Sequence, residues 1–180
     1  MKTPPSKFNT ERLLLRHFRS EDASTIFKRW TSDPEVAKYL TWYPHKSIDE
    51  SRKYLEHCKR GWESNSAYVW AVELKPKEGL IGAIALHRET FQRMSIGCVF
   101  GQAYWGHGYA TEALIPVRNW AVSQPETFRL WAVCDIENPA SGRVLEKIGM
   151  AKEGVLRRWI VHPNLNPIPR NAICYSLVRN

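Results

Sequence analysis

The stretch at residues 99–113, which reads VFGQAYWGHGYATEA, carries the most information about the fold. The apolar run before it predicts a strand, and from Tyr109 onward the apolar residues recur at helical spacing. Between the two elements lie three glycines, Gly101, Gly106 and Gly108, which allow sharp turns and a close approach of the backbone to a ligand. The first N–H groups of a helix have no acceptor within the helix and lie at the positive end of its dipole. The stretch therefore predicts a strand–loop–helix unit suited to binding phosphate.

Two common phosphate motifs do not fit this loop. Gly101 and Gly106 have the spacing of a Walker loop, but His107 and Gly108 stand where lysine and serine or threonine belong. A dinucleotide fingerprint would need glycine at Thr111 and a βαβ unit around the loop, and the sequence predicts neither. On these residues alone, a glycine-rich turn that only ends a strand remains the alternative.

The surrounding sequence predicts one domain, residues 1–180, of mixed α/β class. Strands joined by short turns should pair antiparallel. Ser20 is expected to cap the first helix, Ser47 and Glu50 to form a capping box, and Asn138 to cap the last helix, which Gly149 ends. Strands are predicted at 12–18, 68–74, 80–87, 93–100, 129–134, 151–160 and 172–178, and helices at 22–30, at 48–62, from 109 onward and at 139–148.

Composition excludes several classes of protein. With 43% hydrophobic and 24% charged residues, the chain is neither a disordered tail nor a coiled-coil rod. It has no apolar run long enough for a membrane span and no signal peptide, which predicts a cytoplasmic protein. Four scattered cysteines predict free thiols and no metal site. The net charge of +8 favours a polyanionic partner such as a nucleotide cofactor or RNA, or serves solubility alone.

Two segments resemble a known family. Residues 104–113 resemble the acetyl-CoA signature of the GNAT N-acetyltransferases, most closely the RimJ/RimL-type branch that acts on ribosomal-protein N-termini. Residues 138–150, NPASGRVLEKIGM, are similar to a second conserved stretch of that branch, and residues 11–16 and the element order also fit. The resemblance covers nearly the whole chain. It implies a mostly antiparallel central sheet with splayed middle strands and flanking helices, and acetyl-CoA as co-substrate without a metal.

The resemblance also implies roles for individual residues. Ser141 would protonate the departing thiolate as a catalytic residue, and Asn138 would contact the cofactor, although both could serve only as helix caps. A backbone N–H near Val99 or Phe100 would stabilise the oxyanion, and Arg143 could meet the 3′-phosphate or lie on a solvated face. The residues expected to bind the cofactor are Val99, Phe100 and Gly101 at the pantetheine, Gly106, His107, Gly108, Tyr109, Ala110 and Thr111 at the pyrophosphate, and Asn138 and Ser141.

Two positions depart from the family pattern. Many relatives carry a glutamate as general base where this chain has Ser95, and serine cannot take that role. Candidate substitutes are Asp135, Glu137 and His87. Ala103 occupies the first position of the family's loop motif, which affects the fit of the loop more than its backbone donors.

The expected reaction is acetyl transfer from acetyl-CoA to an amine, most simply the α-amine of a protein or peptide. Trp42 and Tyr43 are the candidate substrate contacts, with Trp159 and residues 162–169 as a further wall. The alternatives are a small amine as acceptor, or a non-catalytic module that binds coenzyme A or RNA. No membrane partner is expected, and a nucleic-acid partner is disfavoured because the chain lacks a basic tail. The resemblance leaves room for a homodimer.

Overall fold

The computed structural model describes residues 2–76, 79–90 and 92–179, which form both strands and helices. A π-helical turn, Phe27–Thr31, follows the first helix, and a 3₁₀ turn, Gln102–Tyr104, precedes the fourth. The helices are α1 Asp22–Ile26, α2 Pro34–Ala37, α3 Ile48–Glu63, α4 Tyr109–Ser123 and α5 Pro139–Lys147. The strands are β1 Phe8–Asn9, β2 Leu13–Arg16, β3 Ala67–Leu74, β4 Gly79–Arg88, β5 Arg93–Phe100, β6 Arg129–Asp135, β7 Ala151–Ile160 and β8 Arg170–Val178.

The strands form one eight-stranded sheet in the order β1-β2-β3-β4-β5-β6-β8-β7. Every neighbouring pair is antiparallel except β5 and β6, which run parallel. The pairing of β5 with β6 ends at Ser95 and Trp131, although both strands continue beyond these residues. The mixed α/β class and the mostly antiparallel sheet with splayed middle strands are therefore confirmed.

The helices divide between the two faces of the sheet. On one face, Leu114 of α4 and Leu145 of α5 pack into the largest buried cluster together with Phe100 at the end of β5. On the other face, Cys58 of α3 packs over the sheet, and Val99 lies against that cluster. The last residues of β5 are thus supported from both sides, while their edge toward β6 is left without a strand partner.

Several local details differ from the sequence predictions. The first helix is α-helical only to Ile26, because the chain widens into the π-helical turn that ends at Thr31. Ser20 does not cap it: Glu21 occupies the N-cap, and the Ser20 hydroxyl donates to the Glu21 carboxylate. The four-residue helix α2 was not predicted, and Asp33 caps it by accepting the N–H of Glu35. The two-residue strand β1 was not predicted because so short a segment has no periodicity.

The remaining local predictions concern the caps of α3 and α5 and the cysteines. Ser47 accepts the N–H of Glu50, but Glu50 accepts the N–H of Lys46 rather than that of Ser47, so only half of the capping box forms. Gly149 ends the last helix with φ 81°. All four cysteines are free thiols. Within the described residues, no helix is long and apolar enough to cross a membrane, and no three His, Cys, Asp or Glu side chains are grouped to hold a metal.

Candidate active site

The glycine loop leaves a row of backbone N–H groups without acceptors. Gly106 and Gly108 have φ of 80° and 81°, in the left-handed region that glycine adopts without strain. Gly108 is the N-cap of α4 and has no side chain to cap it, so the first helical bond runs from the N–H of Glu112 to the Gly108 carbonyl. In the described part of the chain, no protein acceptor is bonded to the N–H groups of residues 106–111. Such a helix start can bind an anion.

The start of α5 lies at the same end of the sheet but is capped by its own side chains. Asn138 Oδ1 accepts the N–H of Ser141 at 3.3 Å, and Asn138 Nδ2 donates to Ser141 Oγ at 3.1 Å. The capping predicted for Asn138 is therefore confirmed. The Ser141 hydroxyl accepts a hydrogen bond from the cap, which leaves its own proton available to another acceptor. Of the two helix starts, only that of α4 is left open for an anion.

A clamp between the beginning of the chain and α4 supports the open loop. Arg12 Nε lies 2.7 Å from Glu112 Oε2, and Arg12 Nη1 donates to the His107 carbonyl at 3.2 Å. The Arg12 guanidinium also lies 4.6 Å from the centre of the Tyr109 ring. Thr10 Oγ1 donates to the same carboxylate at 2.5 Å. Although burial raises the pKa of Glu112, the bonds from Thr10 and Arg12 outweigh it and hold that pKa below its usual value.

A cleft of about 350 Å³ extends from this loop. It begins at Gly108 and reaches Lys147, the last residue of α5, whose ammonium adds positive charge beside the loop. Arg143, the cation considered from sequence, is exposed on α5 and does not line this cleft. Two carboxylates, Glu11 and Glu112, also line the cleft, so the open helix start, and not the cleft as a whole, is the part that suits a phosphate.

The free edge of β5 presents backbone groups to the gap beside β6. The N–H of Gly101 donates to Ile81 on β4 at 3.0 Å, and successive residues of a strand face opposite sides. Val99 therefore faces β4, whereas Cys98 and Phe100 face the gap. Trp105 Nε1 donates a hydrogen bond of 2.8 Å to the Phe100 carbonyl. The Phe100 N–H and the backbone N–H and carbonyl of Cys98 are therefore the groups left to bind a ligand.

Two of the predicted pantetheine residues thus have other backbone partners. Val99 and Gly101 use their backbone toward β4, and a side chain at Gly101 would come within 2.8 Å of the Arg29 carbonyl. The gap-facing backbone belongs to Phe100, one of the three residues expected at the pantetheine, and to Cys98, which the sequence analysis did not single out. The sequence could have indicated Cys98, because residues two apart on a strand direct their backbone groups to the same side and Cys98 lies two residues before Phe100.

The candidate general bases differ in their surroundings. The Asp135 side chain is fully buried and lies 2.6 Å from Arg170 Nε. Burial raises its pKa, but the Arg170 bond and the N–H of Glu137 outweigh this and lower it. Glu137 pairs with Arg170 at 2.8 Å. His87 is in register with Ser95, and desolvation lowers its pKa, so its imidazole is neutral at physiological pH. Because Arg170 pairs with both carboxylates, His87 is the candidate general base of the three that has no ion-pair partner in the described part of the chain.

The predicted acceptor wall comes together from distant parts of the chain. Asn164 Nδ2 donates to the Trp42 carbonyl at 2.8 Å, which ties residues 161–169 to the connection between α2 and α3. His162 is buried between Asp135 and the Leu40 carbonyl, 3.4 Å from each. Tyr43 projects outward with 66% of its surface exposed. These contacts bring the two predicted acceptor regions together on the side of the gap opposite α4 and α5.

Comparison with known proteins agrees with this arrangement. The profile of the "Acetyltransferase (GNAT) domain" matches residues 12–151. The uncharacterized N-acetyltransferase YoaA of Bacillus subtilis is 30% identical, over 94% of this chain and 95% of its own. The crystal structure of a GNAT-family acetyltransferase from Bacillus anthracis is 28% identical, with a TM-score of 0.82 over 96% of this chain and 98% of its own.

A more distant structure shares the fold. RimL, a ribosomal L7/L12 alpha-N-protein acetyltransferase solved with coenzyme A, is 16% identical, with a TM-score of 0.82 over 94% of this chain and 95% of its own. At that identity the likeness concerns the fold alone. The matching domain profile spans well over half of the chain. The structure agrees with it, since the sheet opens between β5 and β6 and the start of α4 is left open. The protein belongs to the GNAT family of acetyltransferases.

Proposed function

We propose that the protein transfers the acetyl group of acetyl-CoA to a primary amine, namely the α-amine of a protein or peptide. The observation that carries the proposal is that two sets of unoccupied backbone groups follow one another along the chain, at the free edge of β5 and at the start of α4. The N–H groups of residues 106–111 lie at the end of β5, whose last residues present a free edge beside β6. A diphosphate suits the first set, and an amide-containing arm suits the second, because it can pair like a strand.

Acetyl-CoA supplies an activated thioester. The residues of this chain position it, donate a proton to the leaving thiolate and accept one from the amine. The N–H groups of residues 106–111 bind the diphosphate, and the Phe100 N–H, next to this loop, orients the pantetheine. The Cys98 N–H, farther from the loop along the same free edge, points into the gap and stabilises the negative charge that develops on the carbonyl oxygen as the amine attacks. The C–N bond forms and the C–S bond breaks. Ser141 gives its hydroxyl proton to the leaving thiolate and is reprotonated from water.

The amine must lose one proton in the same reaction. An α-amine with a pKa near 8 is already partly neutral at physiological pH, so a weak acceptor suffices. His87 takes that proton, either directly or through water. Its position opposite Ser95 and its lowered pKa support this role. Holding both reactants in the gap accounts for much of the remaining acceleration.

Two observations favour a peptide amine over a small polycation. Asp135 and Glu137, the carboxylates nearest the end of β6, are both paired with Arg170 and so are not free to bind a polyamine. The RimL structure that shares this fold is described as an alpha-N-protein acetyltransferase.

Free thiol should appear when the purified protein is given acetyl-CoA and peptides with a free α-amine. The control peptides carry a formyl group on that amine, and polyamines and free amino acids complete the panel. We expect thiol release with the free peptides only, and mass spectrometry should place the acetyl group on the α-nitrogen. Release with small amines alone would favour the alternative acceptor. Cofactor binding without any thiol release would identify a non-catalytic module.

Replacing Ser141 by alanine should lower kcat by about 10²-fold, because the thiolate then leaves without a proton donor. The affinity for coenzyme A should change little, since alanine is a good helix former and the Asn138 cap can still accept the backbone N–H. Ser141→Thr keeps a hydroxyl and should retain most of the activity. An equal loss in both variants, or a fall in thermal stability that matches the loss in rate, would contradict this role.

A further inference from the structure

Glu137, the residue that precedes the cap of α5, is held by bonds from three directions. Its N–H donates to Asp135 Oδ1 at 2.8 Å, and its carboxylate pairs with Arg170 at 2.8 Å. Its carbonyl accepts a hydrogen bond of 3.1 Å from the hydroxyl of Tyr39. Asp135 and Arg170 belong to neighbouring strands of the sheet, whereas Tyr39 follows α2, 98 positions earlier in the chain. The Tyr39 hydroxyl therefore ties the turn into α5 to a distant segment.

The segment around Tyr39 is itself fixed to the loop after β7. The Tyr39 ring centre lies 6.0 Å from that of His162, with the two rings edge to face at 86°, and His162 is buried. Asn164 Nδ2 donates to carbonyls on both sides of Tyr39, that of Ala37 at 2.7 Å and that of Trp42 at 2.8 Å. These contacts set the position from which the hydroxyl reaches the start of α5.

A series of contacts continues from the Glu137 carbonyl to Ser141. This carbonyl and the N–H of Asn138 belong to one planar peptide group, so a bond that fixes the carbonyl also fixes how the chain enters the cap. Asn138 has ψ 69°, outside the extended region that most N-cap residues adopt. Its side chain forms hydrogen bonds with both the N–H and the hydroxyl of Ser141. The direction of the Ser141 hydroxyl thus depends on how the Glu137 carbonyl is held.

We propose that Tyr39 is a positioning residue that keeps the Ser141 hydroxyl directed toward the leaving thiolate. The inference rests on the proton transfer proposed above for Ser141 and adds a residue to it. The Tyr39 hydroxyl gives up no proton in the reaction: it stays bonded to the Glu137 carbonyl and holds the turn into α5. Because the same segment continues into Trp42, the wall expected to receive the amine and the group that protonates the thiolate share one support.

Tyr39→Phe tests this role because it keeps the ring beside His162 and removes only the hydroxyl. We expect kcat with a peptide amine to fall roughly fivefold, since a small misplacement of a catalytic group is enough to slow the chemical step. The KM for acetyl-CoA should not change, because residues 106–111 are untouched. Tyr68→Phe is the matched control: it removes a hydroxyl on β3 that is bonded to Asn65, and it should keep the kcat of the parent protein.

A double-mutant cycle separates positioning from a general structural effect. If Tyr39 acts through Ser141, adding Tyr39→Phe to Ser141→Ala should cause no further loss of kcat. A loss of the same size in both backgrounds, or a Tyr39→Phe protein with the kcat of the parent, would overturn the inference. Full activity of Ser141→Ala would overturn it as well, because Tyr39 would then have no proton donor to position.

Hydrogen exchange gives a readout that does not depend on activity. In Tyr39→Phe, the backbone amides of residues 138–145 should exchange faster, while those of residues 109–123 and the melting temperature stay as in the parent. Unchanged exchange at the start of α5 contradicts the inference even if kcat falls. Failure of the Tyr39 experiments leaves acetyl transfer in place, whereas a parent protein that releases no thiol with any peptide contradicts the proposed function and this role with it.

Discussion

Replacing Gly108 by valine should weaken coenzyme A binding by at least about 100-fold. Gly108 has φ 81°, which a β-branched residue avoids, so the peptide planes on either side must rotate. The N–H groups at the start of α4 then no longer converge on one anion. Each hydrogen bond to a charged group contributes about 1.5–3 kcal/mol, and the loss of two corresponds to a factor of roughly 10² or more. Isothermal titration calorimetry with coenzyme A measures the effect directly.

Gly149 offers a matched control for this substitution. It has the same φ of 81°, but it ends α5 and supplies none of the N–H groups of residues 106–111. Gly149→Val should therefore impose a similar backbone strain and lower the melting temperature, while coenzyme A affinity stays close to that of the parent protein. Equal loss of affinity in the two variants would mean that general destabilisation, and not the geometry of the loop, explains the result.

Replacing Arg170 by methionine should lower the free energy of unfolding by more than the loss of an exposed ion pair does, because one partner of this pair is buried. The Asp135 side chain is fully buried, and Arg170 donates to both of its oxygens, at 2.6 and 3.1 Å. Methionine leaves that carboxylate without its main partner in a site that water does not reach. His162, 3.4 Å away, can replace only part of the lost interaction. Urea unfolding at neutral pH measures the change.

The pH dependence of this effect has a definite sign. In the parent protein the pKa of Asp135 is lowered, so its contribution to stability is present above the unfolded value, near 4, and is lost as the pH falls through the folded value. The difference between Arg170→Met and the parent should therefore shrink below about pH 4. Arg52→Met breaks an exposed pair with Asp49 and should cost at most about 1 kcal/mol. An Arg170→Met protein as stable as that control would contradict the expectation.

Local patterns in the sequence predicted most of the elements. Alternating or continuous apolar runs identified every strand longer than two residues, and the Asn138 cap and the Gly149 terminus were recognised from residue type and spacing. The π-helical turn after Ile26 was not predicted, because a local change in helical pitch leaves the residue pattern almost unchanged.

Local sequence patterns did not predict the contacts between residues that are distant along the chain. Arg12 and Glu112 both lie in recognised motifs, but nothing in either motif indicates that they form one clamp across 100 positions of the chain. Strand β7 bulges at Arg158, and this bulge depends on the Asn171 side chain of a neighbouring strand and has no signature of its own. The proposed acceptor side of the gap is formed by such contacts. The sequence therefore indicated which segments form it but not which side-chain groups they present.

The separation of β5 from β6 after Ser95 has a consequence for the protein before any ligand arrives. Two strand edges then face each other across open space within a single molecule, and unpaired edges are templates for pairing with whatever extended chain reaches them. A bound pantetheine arm would mask one of these edges in the way that a neighbouring strand does elsewhere.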